Sequence, residues 1–180
     1  MAAGTSYTPV AKGFHWVSGL IWIAAWWVGL VAVHWRDELN QEHSLTFLHK
    51  ALASILIFLV MLRVAWRLTH TAPRLPNTMS PAMQYLALVG HVLLYVVALI
   101  ALPLSGWYWS SVADKTIMVA GVFKLPSLVQ PDESCYGVAK MVHTYIAWLC
   151  GLLIFGHIGA ALKHHFLDKD SVLKDMLPRR

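Results

Sequence analysis

Charge is what this 180-residue chain has least of: Asp, Glu, Lys and Arg make up 13% of it, against 58% hydrophobic residues. So little charge cannot solvate a domain of this length, which excludes an ordinary soluble fold and indicates a membrane chain. Carboxylates are scarcer still. The nine Asp and Glu lie in loops and at span ends, none deep in an apolar run, which argues against a carboxylate proton relay through a bilayer. There are two cysteines, Cys135 in a loop and Cys150 inside an apolar run, so no disulfide framework is expected. Internal repeats and low-complexity segments are absent. The first 16 residues lack a small-residue cleavage site, so the apolar run that follows reads as a span and not as a cleaved leader. The net charge of +5 sits at the ends of apolar runs and not on a stripe, which points away from nucleic acid.

What the chain does have is apolar length. Four runs, about 14–35, 45–68, 82–109 and 136–166, are each long enough to cross a hydrocarbon core of about 30 Å. Thr8-Pro9 supplies an N-cap and first helical position for the first. The connector from Thr69 to Pro81 is proline-rich and cannot be helical throughout. Pro103 is expected to kink the third run, which ends in the aromatic belt Gly106-Trp107-Tyr108-Trp109. The apolar stretch Ile117–Val129 is short and broken by Pro126, so it is expected to lie at the membrane interface and not to cross. The reading is one domain, 1–180, an all-α antiparallel four-transmembrane-helix bundle.

Four spans place both termini and the second connector on one side. Nine of the 14 Lys and Arg fall there, Arg74, Arg179 and Arg180 among them, while six of the nine carboxylates face the other side. The positive-inside rule then puts both termini in the cytoplasm, in an inner membrane if the source is bacterial.

Histidine, with ten residues, outnumbers the carboxylates. His143 and His157 stand 14 positions apart in the fourth run, about 40° short of four full turns, so they share a stripe about 21 Å long. With the topology set, depth follows. His15 enters early in the first span and His157 late in the fourth, both toward the inside. His49 is early in the second and His143 early in the fourth, both toward the outside. Two pairs at two depths result: His15 with His157, and His49 with His143.

Two imidazoles facing each other at one depth can ligate a haem iron from both sides, which closes both axial positions and suits electron transfer. Without a Cys-x-x-Cys-His motif, two such haems would be held non-covalently, as b-type. A lone intramembrane histidine is more often an interhelical hydrogen-bond partner, but four falling into two matched depths outweigh that reading. A zinc or copper site would need three or four ligands at one depth.

The stretches FHWVSGLIW from Phe14, LHKALASILIFLVMLRVAWRL from Leu48, GHVLLYVVALIALPLSG from Gly90 and VHTYIAWLCGLLIFGHIGAALKHHFLDKD from Val142 carry a resemblance over nearly the whole chain. The pattern resembles the bacterial cytochrome b561 family, and the closing AALKHHF and MLPRR resemble its stand-alone members. The resemblance implies two b haems on His15/His157 and His49/His143, with electrons moving between membrane quinone and a donor or acceptor at the surface. A similar stand-alone member oxidises superoxide and reduces ubiquinone, which makes superoxide:quinone oxidoreductase the sharper expectation. The alternatives are a non-catalytic electron-transfer subunit serving a dehydrogenase or soluble redox partner, and a haem-free transporter or metal-binding bundle.

The other polar residues keep two readings each. His91, near the inner pair's depth, donates to a propionate, touches quinone, or makes an interhelical hydrogen bond. Arg63 and Arg67 pair with propionates or snorkel to the interface. Lys50 and Lys140, with Arg36, form an outer cationic patch that attracts an anion such as superoxide or neutralises propionates. His164 and His165 face propionates or quinone, or belong to a solvated helix end.

Overall fold

The computed structural model of the chain describes residues 6–73, 76 and 79–178, so Arg74, Arg179 and Arg180 of the charge pattern lie outside the described residues. In chain order it contains α1 (Pro9–His34), a short α2 (Arg36–Leu39), α3 (Ser44–Thr69) and α4 (Pro81–Leu93). A π-helical segment, Leu94–Ala101, continues α4 into α5 (Leu102–Val112). Then come strands β1 (Ile117–Val119) and β2 (Phe123–Leu125), the 31-residue α6 (Glu133–Lys163), a π turn at His164–Asp168, and α7 (Val172–Met176).

Four helical stretches, Pro9–His34, Ser44–Thr69, Pro81–Val112 and Glu133–Asp168, are long and apolar enough to cross a membrane. They pack as an antiparallel bundle whose outward faces are apolar; Leu20, Leu88 and Leu152 are all exposed. Three of them begin before the apolar runs do, because a polar residue outside each run caps it. Thr8 accepts from the Ala11 N–H, Ser80 from that of Met83, and Asp132 from that of Ser134. Hydrogen bonds from Ser134 hold the Asp132 carboxyl below the usual carboxylate range.

The end of the bundle that carries both termini is the inner end, and the opposite end the outer. At the outer turn Asn40, 2% exposed, joins two helices: its Nδ2 donates to Ala32 O and Thr46 Oγ1, and its Oδ1 accepts from Leu45 N–H. At the inner end α7 folds back over α1. Lys12 Nζ donates to Leu177 O and the Trp16 indole to Met176 O, both at 2.8 Å.

The stretch expected not to cross forms an antiparallel hairpin outside the four spans, pairing Ile117 with Leu125 and Val119 with Phe123. Its buried residues Ile117, Val119 and Leu125 pack on Ile57, Phe58 and Trp107, so the hairpin lies along the outer half of α3. Positive φ at Ala120 and Gly121 turns the chain between the strands. The Trp107 indole then fastens the exit of the hairpin to Pro126 O at 2.7 Å.

The middle of the bundle is sealed by one side chain from each span: Trp22, Leu56, Ala98 and Cys150, none more than 4% exposed. Pro103 explains how Trp22 is held. In the π segment each N–H reaches five residues back, as Leu102 N–H does to Val97 O. The next donor in that ladder would serve Ala98 O, but it belongs to Pro103, which has none. The orphaned Ala98 carbonyl accepts instead from the Trp22 indole at 3.3 Å. The proline thus acts on the hydrogen-bond ladder, which adjusts by a π segment running up to it.

Replacing Trp22 by Phe should leave that carbonyl buried and unpaired, at a cost of about 1–3 kcal/mol and a lower melting temperature in detergent. Adding Pro103→Ala should recover part of the loss by restoring a backbone donor. Strictly additive effects of the two substitutions in a thermal-melt cycle would show that the two groups are not coupled.

Candidate cofactor-binding centre

Both histidine pairs read from depth come together in the bundle. The His49 and His143 rings have centroids 6.3 Å apart, and those of His15 and His157 lie 6.0 Å apart. Two imidazoles binding one metal ion from opposite sides at about 2.0–2.1 Å each place their centroids about 6.3 Å apart, since a ring centre lies about 1.1 Å behind its nitrogen. The observed separations are compatible with an ion between each pair, and they lie within the range of about 4.5–7 Å for edge-on ring contacts as well.

The outer pair is built with its second nitrogens committed. His49 Nδ1 lies 2.7 Å from Ala25 O, where it donates, leaving Nε2 with its lone pair. His143 Nδ1 lies 3.0 Å from Ser105 Oγ, whose own proton goes to Leu102 O at 2.8 Å. With the hydroxyl proton so used, His143 Nδ1 is the donor and its Nε2 is also free to ligate. Two glycines make room. A Cβ on Gly29 would stand 2.7 Å from His49 Nδ1, and one on Gly106 would stand 2.9 Å from His143 Cε1. Beside them the Trp109 ring lies 5.7 Å from that of His143, with its indole N–H buried and without a partner among the described residues. An orphaned donor next to a ligand pair is what an acceptor on a bound group would satisfy.

The inner pair is more open. Neither His15 nor His157 makes a ring-nitrogen hydrogen bond among the described residues. His91 stands edge-on to His157 at 5.3 Å between centroids, with its Nδ1 on Ala87 O at 2.6 Å. That places His91 in the inner cluster with one nitrogen committed.

The two arginines part company. Arg67 turns to the helix end, where its Nη1 donates to His70 O at 3.0 Å. Arg63 turns into the bundle: Nε donates to Tyr95 OH at 2.8 Å, Nη1 to Ser18 Oγ at 3.0 Å, and its guanidinium lies 4.9 Å from the Tyr95 ring centre. At the outer rim Lys50 is half-buried with Lys115 beside it. Lys140 is exposed, and its ammonium makes no hydrogen bond or ion pair among the described residues.

His164 is buried and bound to the tail, with Nδ1 2.6 Å from Asp170 Oδ2 and 3.2 Å from Asp168 Oδ2. Asp168 also takes Lys163 Nζ at 2.6 Å. His165 lies edge-on to Phe166, its Nδ1 buried and unpartnered among the described residues. Sequence reading missed Gly29, Ser105, Gly106, Ser18, Tyr95 and Trp109. A glycine in one span at the depth of a histidine in a neighbouring span was the available signal for the first and third.

The comparisons with known proteins bear on the same chain length. The family model described as prokaryotic cytochrome b561 matches residues 6–179. Cytochrome b561 homolog 2 of Escherichia coli (strain K12) is 33% identical over 171 residues, 95% of this chain and 90% of that protein. Cytochrome b561 homolog 1 of the same organism is 27% identical over 92% of this chain and 93% of its own length. The probable superoxide oxidase CybB of Yersinia pestis is 26% identical over 97% of each. A match across nearly every residue, on a bundle of four membrane-length helices, means that the chain belongs to the prokaryotic cytochrome b561 family of membrane electron-transfer proteins, which implies b-type haem.

Proposed function

We propose that this chain is a stand-alone di-haem cytochrome b of the bacterial inner membrane, with 1–180 as one domain and both termini cytoplasmic. On this reading His15 and His157 are the axial ligands of an inner haem, and His49 and His143 those of an outer one. The observation that carries it is the pairing of these four rings, with centroids 6.0 and 6.3 Å apart, at two depths of one bundle. The freed Nε2 atoms of His49 and His143, and the space left by Gly29 and Gly106, support the outer assignment.

Bound there, each haem would supply a reversible one-electron iron couple with both axial positions closed, which favours electron transfer over oxygen binding. The chain's own residues do the rest. Ala25 O and Ser105 Oγ fix the tautomer and ring plane of the outer ligands. The buried Trp109 indole N–H would donate to an acceptor on the bound group. The layer of Trp22, Leu56, Ala98 and Cys150 keeps water from the space between the two pairs. His91, Arg67, His164 and His165, all toward the inner end, are the candidates for propionate or quinone contact.

The finer reading is superoxide:ubiquinone oxidoreductase. Two superoxide anions give two dioxygen molecules and two electrons, and these with two protons reduce one quinone to quinol. Support comes from the relative named a probable superoxide oxidase and from Lys50, Lys115 and Lys140 at the outer rim, a field that raises the encounter rate of a small anion.

Substituting His143→Ala should reduce bound haem from two per chain to one by pyridine haemochrome assay. Gly106→Leu should do the same without touching a ligand. Retention of two haems by both variants, with helicity intact, would sink the outer assignment. For the reaction, a superoxide pulse in stopped flow should reduce the oxidised haems within milliseconds, and superoxide dismutase should abolish this. Reduction that is absent, or indifferent to the dismutase, rules the activity out. Lys140→Glu should slow the same step several-fold and flatten its dependence on ionic strength.

A further inference from the structure

Arg63 is a cation in the wrong place for a membrane anchor. Its Cα lies six residues inside the inner end of α3, about 9 Å along the axis. A snorkelling arginine would reach back toward that end, as Arg67 does. Arg63 instead points into the bundle and is fastened there by two hydroxyls and an aromatic face. Both hydroxyls are a single turn from the inner cluster. Ser18 is three residues on from His15 along α1, and Tyr95 is four on from His91, whose ring meets that of His157. The guanidinium is therefore held about one helical turn from the inner histidines, within reach of their electrostatics.

Its partners are all neutral. The Ser18 hydroxyl gives its own proton to the carbonyls of its own turn, Phe14 O and His15 O, so its oxygen lone pairs face the guanidinium. Arg63 makes no ion pair among the described residues. Asp168 and Asp170, on the tail, are engaged by Lys163 and His164. A charge held inside a bilayer without a countercharge is costly, and such residues mark function. An arginine stays charged there, whereas a lysine would shed its proton more readily.

We propose that Arg63 is a redox-tuning residue for the inner site. It holds a fixed positive charge beside the His15–His157 pair and so stabilises the state that carries one more electron. This rests on the reading of His15 and His157 as haem ligands. Adding an electron to the inner iron lowers the net charge of that site by one. A nearby cation in a medium of low dielectric favours that change, and water screens it weakly. The electron comes from the outer donor and leaves to the quinone, and Arg63 neither gains nor loses a proton or electron. The consequence has a fixed sign: the charge raises the inner site's affinity for an electron.

The test is a spectroelectrochemical redox titration of purified protein, following both haems by their reduced absorption bands. Arg63→Gln should lower the midpoint potential of one haem by at least 59 mV, tenfold in a one-electron equilibrium, and leave the other in place. Arg63→Lys should stay closer to the wild-type value at low pH and move toward the Gln variant as its ammonium loses its proton. His157→Ala identifies which transition belongs to the inner site. An unshifted inner potential in Arg63→Gln, or a shift confined to the outer haem, would overturn the proposal. Loss of the inner haem from Arg63→Gln, with retention in Arg63→Lys, would also overturn it, because the residue would then hold the group instead of tuning it. Failure of His157→Ala to remove any haem would refute the ligand assignment itself, a separate result.

Discussion

A polar group in hydrocarbon has no water to fall back on, and most of this fold follows from that constraint. Helices meet it for the backbone by bonding within themselves. Where the ladder is interrupted, a side chain must take over. Pro103 strips Ala98 O of its donor, and the Trp22 indole answers it from another helix. The same rule governs the imidazoles. His49 Nδ1 is met by Ala25 O and His143 Nδ1 by Ser105 Oγ, so each ring is held by one nitrogen and offers the other.

Close approach is the second requirement. A carbonyl of α1 can serve His49 only if the ring lies against the helix backbone, which Gly29 permits. Gly106 does the same for His143. Gly151 makes a third close approach, where a Cβ would press on Trp26 at 2.8 Å. The mid-bundle seal then divides the interior in two. Cys150 lies seven residues from both His143 and His157, Trp22 seven from His15, and Leu56 seven from His49. One apolar layer thus has a histidine pair on each side of it.

The two halves are not equivalent. The outer histidines are fixed by hydrogen bonds, flanked by an orphaned indole donor and rimmed by lysines. The inner ones carry no such bonds among the described residues and have His91 and an interior guanidinium as neighbours. On the proposed function, the outer end would be the entry point for electrons and the inner end, with its interior cation, the site that retains them.

Much of this was legible in the sequence. Apolar run length determined four spans, because the thickness of the hydrocarbon core admits few other readings. The depth of His15, His49, His143 and His157 followed from span direction, and a 14-residue spacing on a helix fixes a stripe whatever packs against it. Tertiary structure alone decided the rest. Ile117–Leu125 became a hairpin because α3 offers it Ile57 and Phe58, which lie about 60 positions away in the chain. Arg63 and Arg67 look alike in sequence, one turn apart on one helix. Only Ser18 and Tyr95, brought in by two other spans, turn the first into the bundle while the second stays at its end. Periodicity and span length belong to a segment by itself, whereas a hydrogen-bond partner in lipid is supplied by whichever helix packing brings alongside.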